Sequence, residues 1–84
     1  MTAVQFADRV FQLAHQNGWV TPRGAIRCPN KKTLNREKVC ALFDLCERKN
    51  IPPTAANSAD RKSLNIQTCC FELLRELAET AYNQ

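Results

Sequence analysis

The sequence predicts an all-α fold: a compact bundle of three main helices, at about residues 3–17, 33–49 and 62–82. Three observations point there. Apolar residues recur at helical spacing in three separate stretches, densest at 39–46. Only two glycines occur in 84 residues, too few for a turn-rich β chain. The stretches are divided by Asn17-Gly18 and by Pro52-Pro53, which are residues that end helices. The length suits a single domain over residues 1–84, with a core large enough to fold alone.

Thr2 opens the first helix as its cap, and Gln5 at the third helical position completes a capping box. Ala3, Phe6, Val10, Leu13 and Ala14 form one face, widened by Ala7 and Phe11. Asn17-Gly18 then stops the helix, because both residues tolerate the left-handed backbone. Trp19 follows directly and reads as a cap over one end of the core.

Residues 19–32 are the least regular. Thr21-Pro22 suits a helix start, since threonine caps and proline is favoured at the first helical position. A short helix or an irregular loop is the preferred reading. The alternative is a hairpin pairing 19–21 with 25–28 through Pro22-Arg23-Gly24. Cys28-Pro29-Asn30 breaks whatever comes before it.

Within 39–46 every residue except Asp44 is apolar. Val39, Leu42, Phe43 and Cys46 follow the i, i+3, i+4, i+7 rule, with Ala41 and Leu45 to the side. A helix this widely apolar is expected at the centre of the domain, buried between neighbours. Pro52-Pro53 forbids its continuation. The polar stretch 54–62 has room for a single helical turn started by Thr54 or Ser58. In the last helix Ile66, Cys70, Leu73, Leu77 and Ala81 recur at helical spacing. Phe71, Leu74 and Ala78 add apolar surface beyond the needs of one three-helix core, so a homodimer through this helix is a further expectation.

Several functional classes are excluded at this level. No apolar run approaches the roughly 20 residues that span a bilayer, so no membrane role is expected. The first ten residues include Asp8 and no continuous apolar segment; a secretory signal is not expected and a cytoplasmic location is. Five cysteines, with Cys69 and Cys70 adjacent and four in helices, suit reduced thiols rather than disulfides. No C-x-x-C pair exists, so no metal site is expected. Cys28, read as exposed beside Arg27, is the one candidate for a reactive thiol, and its plainer reading is an ordinary loop residue. His15 is the only histidine and has no pattern that would orient it as a base. Phosphate-cradling glycine loops and paired-carboxylate or Ser/His/Asp sets are missing. A protein that is not an enzyme and uses no cofactor is expected.

Charge supplies the one positive functional signal. The net charge is +4, yet residues 1–22 are neutral and 39–84 are slightly acidic. The excess lies in 23–38, where Arg23, Arg27, Lys31, Lys32, Arg36 and Lys38 face only Glu37. Arg36 and Lys38 lie at a helix N-terminus, where cations are locally unfavourable, which argues that a ligand requires them. Phosphate is the natural counterpart, and Asn35 is the side chain best suited to a base edge. The leading expectation is a non-catalytic nucleic-acid binder, DNA in the first instance, with a regulatory or accessory role. The alternative is a small adaptor or inhibitor, of the kind mobile elements carry, seated on an acidic protein surface. Were 21–27 a helix, 29–32 would be the turn of a helix-turn-helix, with Asn35, Arg36 and Lys38 facing the groove.

Overall fold

The computed structural model describes residues 1–83 and is mostly helical. In chain order it comprises α1 (Ala3–Gln16), β1 (Ile26–Arg27), β2 (Thr33–Leu34), α2 (Arg36–Arg48), α3 (Ser58–Ser63) and α4 (Thr68–Tyr82). Single 3-10 turns lie at Pro29–Lys31 and Pro53–Ala55. The three main helices of the predicted bundle are α1, α2 and α4. The Cα radius of gyration, 11.5 Å, is close to the roughly 12 Å of a folded chain of this length.

α1 begins as its sequence predicts. The Thr2 hydroxyl accepts the Gln5 N–H at 3.1 Å, and Gln5 Oε1 accepts the Thr2 N–H at 2.9 Å. Phe6, Ala7, Val10 and Ala14 are buried, and α1 packs against both α2 and α4. The hub of the bundle is therefore α1, and not the helix over 33–49. α2 does bury its predicted face, Val39, Leu42, Phe43 and Cys46, with Phe43 tilted against Phe6 at a ring separation of 5.2 Å. In α4, Phe71, Leu74 and Ala78 are buried in the core of the same chain, so the surplus apolar surface expected there is already used.

α2 starts at Arg36 rather than 33. Thr33 and Leu34 are drawn into β2, and Asn35 becomes the cap, its Oδ1 accepting the Lys38 N–H at 2.9 Å. The other end follows a motif shared with α1 and α3. Each helix stops on a residue of positive φ: Gly18 (74°), Asn50 (57°) and Asn65 (59°). The next N–H then returns to a carbonyl in the last turn, from Trp19 to Ala14 at 2.9 Å, Ile51 to Cys46 at 3.0 Å and Ile66 to Arg61 at 3.1 Å. Carbonyls that the helix leaves open are closed in this way.

At α3 the same motif splits what the sequence predicts as one helix over 62–82. Residues 64–67 form a corner, and α4 begins at Thr68. The apolar spacing survives the corner because Ile66 is still buried there. Two cations hold the corner: Lys38 Nζ donates to the Leu64 carbonyl, and an Arg61 guanidinium nitrogen donates to the Ile66 carbonyl at 2.7 Å. The helical turn expected in 54–62 is α3, which begins at Ser58, one of the two expected starts, but with the preceding residue as its cap. Asn57 caps it, and the Asp60 carboxylate accepts the Asn57 N–H at 2.8 Å to complete a capping box. Among the described residues no helix is long and apolar enough to cross a membrane.

Candidate nucleic-acid interface

Residues 20–34 depart most from the preferred reading, because they form a small antiparallel meander. Val20 bridges Ile26, and β1 pairs with β2 in the register Ile26↔Leu34 and Arg27↔Thr33. Residues 21–27 are not a helix. The hairpin alternative is the one found, and a helix-turn-helix falls because its first helix is absent. Thr21 explains the outcome. Its hydroxyl accepts the Ala25 N–H at 3.1 Å and its own N–H donates to the Ala25 carbonyl at 2.7 Å, so threonine closes a turn instead of capping a helix. Gly24, at φ +82°, supplies the backbone that this turn needs.

The second turn, Pro29–Lys31, joins β1 to β2, and the Cys28 N–H donates to the Lys32 carbonyl at 2.8 Å across it. Asn30 and Lys31 both have positive φ, 62° and 59°. Asparagine adopts that region often. Lysine does so rarely, at a cost of about 1–2 kcal/mol.

The meander is fixed from beneath. Ile26 is fully buried and Leu34 nearly so, while Arg27 and Thr33, on the opposite face, are exposed. The first turn of α4 holds the second turn and β2 through two thiols: Cys69 Sγ lies 3.3 Å from the Pro29 carbonyl and Cys70 Sγ 3.7 Å from that of Thr33. Cys28 corrects the sequence reading. It is buried, not exposed, with its thiol directed at the Ile26 carbonyl. Burial pushes the Cys28 thiol up from its ordinary pKa, and a contact with the Cys70 thiol offsets this only in part. Burial likewise raises Cys70, which its two cysteine neighbours raise further. Both thiols stay protonated and are poor nucleophiles. Among the described residues no group of three or more His, Cys, Asp or Glu side chains is placed to hold a metal ion. His15 is exposed in the last turn of α1, and Trp19 is half-buried against the core.

The seven residues expected at a binding site divide into two sets. Arg36 pairs with Asp8 of α1 at 2.7 Å, with its guanidinium 5.2 Å over the Phe11 ring. Lys38 is half-buried and tied to the Leu64 carbonyl, and Asn35 is the helix cap. The cations at the start of α2 therefore have structural partners from distant parts of the chain. The second set is Arg23, Arg27, Lys31 and Lys32. All four are exposed, and among the described residues none makes an ion pair. Arg23 occupies the first turn, Lys31 and Lys32 the second, and Arg27 the strand between them.

Two shallow grooves lie elsewhere, of about 180 and 240 Å³, one between Phe43, Ile51, Pro53 and Tyr82 and the other between Glu72, Arg75, Glu76 and Glu79. Both are smaller than the roughly 300 Å³ at which small-molecule pockets begin. No known protein family, curated protein or solved structure matches the chain.

Proposed function

We propose that this is a non-catalytic nucleic-acid-binding protein, with a regulatory or accessory role, that meets DNA phosphates through residues 20–34. The observation that carries the reading is a group of four exposed cations that, among the described residues, make no ion pair and lie on one short, well-anchored meander. A cation already paired within its own chain gains little from a phosphate. A free one releases condensed counterions from the nucleic acid when it binds. Lys31 adds support, because it keeps a lysine where glycine or asparagine would relieve the backbone.

Fluorescence anisotropy with a labelled DNA duplex tests the proposal. Reversing both Lys31 and Lys32 to Glu is expected to weaken binding by about tenfold or more at low salt, whereas Lys62→Glu, an exposed cation of α3, changes it by less than about threefold. An unchanged affinity in the double variant would contradict the proposal. The same four cations suit an acidic protein surface. Capture of one stoichiometric protein partner, with no retention on DNA at low salt, would make the protein an adaptor instead.

A further inference from the structure

Resting on that reading, we infer that the ligand is B-form DNA duplex, with the meander laid across the major groove and Arg27 directed at a base edge. The topology separates the cations in a useful way. β1 runs from the turn containing Arg23 to the turn containing Lys31 and Lys32, so the two cationic turns lie at opposite ends of one strand. From Gly24 to Pro29 the chain covers about 16 Å at roughly 3.3 Å per residue. The B-DNA major groove is about 12 Å wide and admits a β-ribbon. Arg23 therefore reaches one phosphate backbone while Lys31 and Lys32 reach the other.

Arg27 occupies the middle of this span, on the exposed face, with Thr33 as its cross-strand partner. A guanidinium matches the N7 and O6 acceptors of guanine, and the threonine methyl suits a neighbouring thymine. Ile26 and Leu34 bury the opposite face, which fixes the side that Arg27 presents. Two other nucleic acids fit poorly. Single strands are held largely by stacking on several exposed aromatic rings, and the hairpin carries one, Trp19, which is half-buried against the core. The major groove of duplex RNA is too narrow and deep for side chains to read.

The test begins by selecting a preferred duplex from a randomised DNA pool with the full chain. The wild type and Arg27→Ala are then titrated against four probes: that duplex, its RNA counterpart, its single strand and a version carrying 7-deazaguanine, which lacks the N7 acceptor. The DNA duplex is expected to bind at least about tenfold more tightly than RNA or single strand, with a guanine in the selected site. The 7-deaza probe is expected to lose about tenfold for the wild type and little for Arg27→Ala, which has no donor to reach N7. Arg27→Ala is expected to bind the selected and unselected duplexes alike, because the side chain that reads the base edge is gone. Equal or tighter binding of RNA or single strand, failure to enrich a site, or an Arg27→Ala variant that keeps the preference would each overturn this inference and leave phosphate binding intact. Absence of binding to every probe would overturn it together with the nucleic-acid reading beneath it.

Discussion

Lys31 holds a backbone conformation that lysine avoids, at φ 59°, in the turn between β1 and β2. Glycine at this position has no Cβ to strain. Lys31→Gly is expected to raise stability by about 0.5–1 kcal/mol, read as a rise in Tm of about 2–8 °C, while weakening DNA binding. Such a result would identify a residue retained against the preference of the fold. Asp60 is the opposite case, a residue wholly at the service of the fold. Its carboxylate is buried, accepts from Lys49 Nζ at 2.7 Å and from the Asn57 N–H at 2.8 Å, and these bonds hold its pKa below the usual range. The folded state thus binds this proton more weakly than the unfolded chain does. The stability it contributes is complete above the unfolded value of about 3.9 and is lost as pH falls from there through the folded value. Urea titrations at several pH values are expected to show this loss in the wild type and a flatter profile in Asp60→Asn. Asp60→Ala is expected to cost about 2–3 kcal/mol near neutral pH, because it strips the partner from Lys49 and one capping bond from α3.

Among the elements, legibility followed the range of the interactions that form them. The first helix was readable because its cap, its apolar face and its stop signal lie within the same short stretch, from Thr2 to Gly18. The core face of α2 was readable for the same reason, but its start was not, since β1 recruits Thr33 and Leu34 from outside the helix. The corner at 64–67 was hidden by its own packing: Ile66 keeps the helical spacing while Asn65 turns the chain. Asn65→Gly is expected to preserve stability and Asn65→Ala to cost about 1 kcal/mol, which thermal unfolding can read. The meander was visible only as the less favoured reading, because Thr21-Pro22 serves a helix start as well as a turn. Its second turn was legible as the break at Cys28-Pro29-Asn30, but nothing local shows that the residues on either side pair. Ile26 joins both pairings of the meander at the fully buried position. Ile26→Ala is expected to destabilise the protein by about 2–4 kcal/mol in urea denaturation.

Over the whole molecule, the location of the positive charge was legible and its division was not. Composition places the excess in 23–38, but only the folded chain brings Asp8 to Arg36 and the Leu64 carbonyl to Lys38. The fold thus assigns some cations to holding helices together and leaves Arg23, Arg27, Lys31 and Lys32 exposed, with no ion pair among the described residues. The most direct test is the salt dependence of binding to a DNA duplex. Three phosphate contacts, from Arg23, Lys31 and Lys32, predict a slope of log affinity against log salt of about −3, reduced by about one unit in Lys31→Gln and unchanged in Arg36→Gln. A slope near zero, or one that Arg36→Gln flattens as much as Lys31→Gln, would contradict the account.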